Sequence, residues 1–481
     1  MYRSFVCAVA VTTLGMAAQA YAGTLSVGPG KTYSAPCAAF AAATDGDTIE
    51  VDSGGNYAGD VCALTKNKIT IRGVGATRAR IDAAGKNAQG KAIWVVQGAD
   101  TVIENIEFSG ATVPDENGAG IRQEGKNLTV RNCVFRDNQD GILAGDVAGS
   151  EILIEHCEFD HNGAGDGYSH NLYINHVAKL TFRYNYSHRA VIGHLLKSRA
   201  AENHILYNRF SDEADGTASY EIDCPNGGKT YVVGNIIEQN TLTDNPAMLA
   251  YLEEGSHASN PSSELFVVNN TFVNHLGKGT FIMVGAAATT PVVVQNNVFY
   301  GGGTPCSQAS AKLVTNLEGG AGCFIDDAAF DYRLKAGSAC VDAGSDPGNG
   351  GGSSLVATEQ YVHPSSNEAR PVSAKPDVGA FEYSDGAAAG GSSSSSSNGG
   401  TSSSTTSSSS GGTSSSTTPS TSAGSGGAPS TEGAESQTDE GCGCRTANVA
   451  ARDGLAKVLL LLSAVVLAIG RRRSGHRGRN H

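Results

Sequence analysis

VIENIEF at 102–108, TVRNCVF at 129–135 and LIEHCEF at 153–159 carry one phrase three times: alternating apolar residues, then Asn or Cys, one residue, and Phe. It returns as ILYNRF at 205–210, VVNNTF at 267–272 and VVQNNVF at 293–299, and in weaker form as TFRYNYS at 181–187 and VVGNII at 232–237. The closing positions are Phe108, Phe135, Phe159, Ser187, Phe210, Ile237, Phe272 and Phe299, separated by 27, 24, 28, 23, 27, 35 and 27 residues. A period in that range, with several short strands per repeat and almost no helical pattern, is the mark of a solenoid.

Residue type decides which solenoid. The strands alternate and are rich in Val, Ile and Thr, as half-buried β-structure requires, and no leucine-rich or helical repeat pattern is present. Two residues before each closing position stand Ile106, Cys133, Cys157, Asn185, Asn208, Asn235, Asn270 and Asn297. Equivalent residues of successive coils lie about 4.8 Å apart, so stacked Asn side chains can bond to one another and to the turn backbone. The pattern resembles the right-handed parallel β-helix of the pectate-lyase-like superfamily. The expected fold is all-β, a right-handed parallel β-helix solenoid.

The expected boundaries follow from composition. Residues 1–22 read as a signal peptide, with Arg3, an apolar run from Phe5 to Met16 and the A-x-A site Ala20-Tyr21-Ala22. The β-helix domain spans 23–383, and the apolar stretch PCAAFAAA at 36–43 is expected to form a short helix plugging its first coil. Residues 384–440, nearly all Ser, Gly, Thr and Ala, read as a disordered linker with a reach of roughly 40 Å. Residues 441–481 hold GCGC at 441–444, an apolar run from Val458 to Gly470 and Arg471–Arg473. At 13 residues, that run is shorter than the roughly 20 that span a bilayer.

Two resemblances concern these ends. DYRLKAGSACVDAG at 331–344 and PDVGAFEY at 376–383 are similar to the closing region of choice-of-anchor Q surface proteins. The three-part tail resembles the MYXO-CTERM sorting signal, which implies export, processing near the Cys motif and display on the outer surface. A plain tail anchor in the membrane is the other reading.

The chain carries a formal −13. Without the net +7 of residues 445–481 and the +1 of the leader, residues 23–444 carry −21. So acidic a surface does not attract nucleic acid through its general field. Eight cysteines lie in the expected β-helix domain, residues 23–383, where export permits disulfides. Cys37 with Cys62 and Cys306 with Cys323 are the expected end-staples, and Cys133 and Cys157 a buried ladder. A monomer is expected.

One segment departs from the acidic background. Residues 170–209 hold five of the twelve histidines and six Lys or Arg against Glu202 alone, a net +5. Alternation along HNLYIN at 170–175, HLLKSR at 194–199 and SYEIDC at 219–224 places Leu172, Ile174, Leu196, Ser198, Ile222 and Cys224 inward. It places Asn171, Tyr173, Asn175, Lys197, Arg199, Glu221 and Asp223 outward, with one of Leu195 and Leu196 facing out. Burying Lys197 and Arg199 unpaired costs several kcal/mol, about 3–5 each.

That patch suits a β-eliminating lyase on an acidic glycan, which needs a base, here Lys197, and a cation against the uronate carboxylate, here Arg199. His170 and His194 complete the candidate catalytic set, and Tyr173, Asn175, Arg189 and Tyr220 the candidate substrate contacts. Glu221 and Asp223 are candidate calcium ligands. HLLKSRAAENHILYNRF at 194–210 also resembles the Lys-bearing coil of the chondroitinase B and alginate lyase family, which implies the base role for Lys197. That family places two acidic calcium ligands just before the Lys and its catalytic Arg one coil later. This chain has RAVIGHLL and EIDCPNGG there. The 35-residue gap before Phe272 marks a long loop with Glu253, Glu254 and His257, placed to wall a groove. Two functions stay open: a polysaccharide lyase at the cell surface, or a non-catalytic adhesin or glycan-binding protein whose long face holds extended chains.

Overall fold

In the computed structural model, residues 22–243 and 245–384 are described. The leader, nearly all of the linker and the Cys, apolar and basic tail lie outside the described residues. Three parallel sheets of 12, 10 and 10 strands run the length of the domain. Each complete coil contributes one strand to each, and the first sheet begins two strands earlier than the third. The first sheet starts at Thr24–Val27 and ends at Lys312–Val314, the second contains Cys62–Leu64 to Thr304–Cys306, and the third Ala79–Asp82 to Leu317–Glu318. The one helix among the described residues, Pro36–Ala42, has Pro in its first turn and buries Pro36, Ala39 and Phe40 over the first coil, with Cys37 bonded to Cys62.

The register reproduces the period read from the sequence. Phe108, Phe135, Phe159, Ser187, Phe210, Ile237, Phe272 and Phe299 pair in one continuous column of the third sheet. Phe108 stacks on Phe135 at 5.2 Å and Phe135 on Phe159 at 4.9 Å. Where Ser187 leaves the column short of an aromatic ring, Phe182 of the first sheet fills the space between Phe159 and Phe210.

The turn between the first and third sheets holds the ladder. The residue ahead of each rung is left-handed: Asn105, Asn132, His156, Tyr184, Tyr207, Asn269 and Asn296 have φ between 52° and 59°. Gly234 takes that place once, where a Cβ would come within 2.4 Å of the Tyr207 ring. The rung then turns inward. Asn208 Nδ2 donates to Asn235 Oδ1 and to the Phe182 carbonyl, both at 2.9 Å, and its Oδ1 accepts from the Asn185 amide N–H at 2.9 Å. The same bonds recur from Asn185 through Asn316. Cys133 and Cys157 continue the column, buried and unoxidised.

Beyond residue 318 the chain folds back in three antiparallel pairs. It covers the outer face of the third sheet, where Tyr332, Leu334, Tyr361 and Phe381 pack against Ile236, Val273 and Val298. The second disulfide lies here and joins Cys323 to Cys340; Cys306 is a free thiol on the second sheet. The expected Cys306–Cys323 staple is therefore not formed. Cys323 leaves the solenoid with the returning segment, and its partner lies 17 residues on within that segment.

Alternation misplaces three residues beside the bend into the second sheet. Asn171, Leu195 and Glu221 occupy one position of successive coils, two before Tyr173, Lys197 and Asp223, and all three are fully buried. The chain is still turning there, so two consecutive residues point inward, and Leu195 and Leu196 are both in the core. Asn171 closes a second amide stack with Asn162 and Asn138. Glu221 has no hydrogen bond to either side-chain oxygen and joins two further buried carboxyls, Asp212 and Glu238. Burial pushes Asp212 up to about 8 and Glu238 up to about 7, and Glu221 well above the usual carboxylate range.

Two predictions follow from the interior. Asn208→Ala leaves the Asn185 amide and the Phe182 carbonyl without partners, and is expected to cost about 2–5 kcal/mol in urea unfolding; a loss under about 1 kcal/mol contradicts the ladder's role. The second concerns pH. Each of the three carboxyls is raised in the fold, so its stabilising share is whole below the unfolded value of about 4 and falls as pH rises, the loss being complete for Glu238 once pH passes about 7 and for Asp212 once it passes about 8. The urea midpoint should fall from pH 5 to pH 9, and Asp212→Asn should flatten the fall above pH 7. Parallel profiles for the two proteins would show that Asp212 does not titrate there.

Candidate functional site

The candidate residues meet on the outer face of the second sheet, on the strands Leu172–Ile174, Lys197–Ser198 and Ile222–Cys224. The register sets Tyr173, Lys197 and Asp223 side by side, one per coil. Lys197 Nζ lies 3.5 Å from Asp223 Oδ2, 3.9 Å from Glu254 and 5.7 Å from the centre of the Tyr173 ring. Arg199 spreads over the same ring at 5.8 Å. Its Nε donates to the Tyr173 hydroxyl at 2.9 Å, and its other nitrogens donate to Asn226 Oδ1 at 2.5 Å and Glu254 Oε1 at 3.0 Å.

Glu254 arrives on the long loop that the period located. Asn260 Nδ2 ties that loop to the carbonyls of Arg199, Ala200 and Asn226, and Asn226 Nδ2 donates to the Gly255 carbonyl. His257 of the loop stacks on His176 at 3.8 Å. Asn226 and Asn260 were not singled out from sequence. Asn-Gly after a strand signals only a turn, and nothing local says which coil the loop will touch.

A second column borders the first. Asp140, His170, His194 and Tyr220 each stand three residues before the Leu143, Tyr173, Lys197 and Asp223 positions, and all are nearly buried. Each of the first three accepts a backbone N–H from the next coil. Asp140 Oδ1 accepts from His170 at 2.8 Å, His170 Nδ1 from His194 at 3.0 Å and His194 Nδ1 from Tyr220 at 3.3 Å. An imidazole accepting at Nδ1 carries its proton on Nε2. Burial, then the neighbouring cations, hold both histidines well below their usual value, so both are neutral. His194 Nε2 faces Asp223 Oδ2 at 3.5 Å, and burial lifts Asp223 to about 6 against the opposing pull of Lys197.

The structure thus brings Tyr173, Lys197, Arg199, Asp223, His170 and His194 together. Tyr220 packs against His194 at 5.0 Å. Asn175 borders the group, and its side-chain oxygen accepts from the His176 N–H at 2.8 Å, capping its own turn. A hollow of about 280 Å³ continues past Tyr173 and Asn175 between Arg122, Asp115, Glu116 and Asp166.

Two of the sequence-predicted residues lie elsewhere. Arg189 follows the third-sheet strand Tyr186–His188 and pairs with Asp160 through three bonds of 2.7–3.0 Å, so it does not reach Lys197. Glu221 faces the interior while Asp223 faces out, so the two do not converge as a calcium-ligand pair. Chemically, the group offers an amine and a guanidinium held over one phenol, two neutral imidazole N–H donors, and carboxylates that already balance both cations.

Comparison with known proteins agrees with the architecture. A family model described as the right handed beta helix region matches residues 39–235. Among solved structures, the crystal structure of pectate lyase Pel9A is similar, with 15% sequence identity and a TM-score of 0.52 over 72% of this chain and 90% of that one. No curated protein matches the sequence. At that identity the likeness speaks for the fold alone, and the described domain is a right-handed parallel β-helix.

Proposed function

We propose that the outer face of the second sheet around Lys197 binds an extended acidic polysaccharide and cleaves it by β-elimination. The observation that carries this reading is the half-enclosed pairing of Lys197 and Arg199 over Tyr173, beside a hollow that runs on along the coils. A uronate carboxylate meets Arg199 by displacing Glu254, whose side chain is 45% exposed and rides on a loop. Lys197, having passed a proton to Asp223 Oδ2 3.5 Å away, is then the group nearest the sugar ring able to take the proton next to that carboxylate, while the C–O bond on the adjacent carbon breaks and the neighbouring sugar leaves with its oxygen. The Nε2–H donors of His170 and His194 supply hydrogen bonds at the same level, and Tyr173 offers a ring face to the sugar. Calcium is not required by this arrangement, and Asp223 is the one sequence-predicted ligand that faces the groove.

The leader, linker and tail support export and display at the cell surface, with the linker as a tether. No helix among the described residues is long and apolar enough to cross a membrane. The tail's membrane or sorting role is part of the same proposal.

A second reading rests on a specific observation: Asp223 and Glu254 already neutralise Lys197 and Arg199. A non-catalytic surface protein that binds glycans, or an adhesin, uses the same face without a base.

The test is incubation with alginate, pectate, chondroitin and hyaluronan, with and without calcium, following ultraviolet absorbance of the unsaturated product. Lys197→Ala is expected to abolish the signal and leave the circular dichroism unchanged. Glu254→Gln frees the cations and is expected to tighten polyuronate binding about 3–10-fold, or about 1 kcal/mol. Absence of product on every polymer removes the lyase; binding that persists there, sensitive to Lys197→Ala, selects the second reading.

A further inference from the structure

A different cluster stands on the outer face of the third sheet. Glu158 and Asp160 share the strand Glu158–Asp160, two residues apart, so both side chains point outward. The next coil sets Tyr186 beside Glu158 and His188 beside Asp160. One coil further, the chain leaves Arg209–Ser211 and returns Glu213 toward the same point. Three coils therefore deliver three carboxylates around one imidazole.

His188 is the unusual member. It is 4% exposed, and neither ring nitrogen has a hydrogen bond. Carboxylates nevertheless surround it: Glu158 Oε1 is 3.4 Å from Nε2, and Glu213 Oε1 and Asp160 Oδ1 are 3.3 and 3.7 Å from Nδ1. Glu158, Asp160 and His188 each present one ligand atom within 4.8 Å of the other two. Two ligand atoms bound to one tetrahedral zinc at about 2.1 Å stand about 3.4 Å apart. The separation between Nε2 and Glu158 matches that edge.

Arg189 donates to both oxygens of Asp160 and approaches Glu213 at 3.8 Å and Asp215 at 3.9 Å, and Arg209 lies 5.6 Å from the centre of the Tyr186 ring; neither guanidinium bonds to Glu158. The Tyr186 hydroxyl donates to Glu213, and its ring stacks on His188 at 3.8 Å, holding the imidazole in place.

We propose that Glu158, Asp160 and His188 bind a divalent transition-metal ion of the zinc class, with Glu213 orienting His188. The ion takes Nε2, and Glu213 Oε1 accepts the Nδ1–H, the usual arrangement of a carboxylate behind a ligating histidine. Calcium is disfavoured, since it takes six to eight oxygen ligands, whereas an imidazole with carboxylates suits zinc, manganese or iron. The ion clamps neighbouring coils. It lies on a different sheet from Lys197 and does not rest on the function proposed for that face.

The experiment titrates the full chain, purified without a histidine tag, with cobalt(II) chloride and then zinc(II) chloride. One equivalent of cobalt should give a visible d–d absorption that zinc displaces, and zinc should raise the melting temperature. His188→Gln and Glu158→Gln should each weaken binding by about 100-fold or more, and Glu213→Gln by about 10–100-fold. Glu254→Gln should leave it unchanged. X-ray absorption of the zinc-loaded His257→Ala protein, which lacks the stacked His176–His257 pair, should show one imidazole in the metal shell whether or not the other variants fold. No saturable equivalent, a shell without imidazole, or binding retained in both His188→Gln and Glu158→Gln overturns the proposal.

Discussion

Each coil of this molecule must bury the polar backbone of the turn between its first and third sheets, and from Asn185 onward the asparagine ladder is what makes that burial possible. The preceding residue is driven left-handed, which aims the following side chain inward at the level where the neighbouring coil has an unpaired amide and carbonyl. An Asn side chain has one acceptor and one donor group with the right spread to serve both coils at once. Sulfur does half of this. Cys157 Sγ accepts from the Cys133 amide at 3.4 Å, but a thiol is a weak donor, so the cysteines occur only where the ladder begins. The twofold-bonded rungs fix the stacking register, and the register fixes everything placed on the three faces.

This is why the fold was legible in the sequence. The ladder residues and the Phe stack are tied to the backbone geometry of each turn, so they recur in the chain with the period of the coil. The signals that failed are those not tied to it. Alternation held for Tyr173, Lys197 and Asp223 within strands, and failed for Asn171, Leu195 and Glu221 at the bend, where the chain has not yet extended. The Cys323 pairing failed because it depends on a segment that leaves the repeat, and Arg189 because a turn sends it toward the third sheet rather than the second.

The basic island shows the same limit in charge. Counting along residues 170–209 gives +5, yet the acids that answer it come from other coils. Arg183 pairs with Glu155, Arg189 with Asp160, Arg199 with Glu254 and Lys197 with Asp223; Lys179 and His204 meet the acid inside the segment, Glu202. In a solenoid the electrostatic neighbours of a residue lie one coil away, some 25 residues distant in sequence. A local sum measures composition, while the potential at a site is set by the column. Arg183 illustrates it further, as the last member of an alternating column with Glu155, Arg131, Glu104 and Arg72 on the first sheet.

The columns also differ in how they treat water, and that difference separates the two faces. On the third sheet the returning C-terminal segment covers the coils around Glu238, so charges there must be met internally, as by Ser211 and by the Glu213 amide. On the second sheet no segment among the described residues crosses Lys197. The one element that approaches is the loop bearing Glu254, and it is pinned by Asn260 through carbonyls rather than through the charged pair itself. An anion that displaces Glu254 therefore has to break its pairs with Arg199 and Lys197, in which Glu254 is the more exposed partner, and need not unfold the loop. An exchangeable counter-charge over a fixed cation pair is what a surface needs to exchange its own carboxylate for that of a polymer.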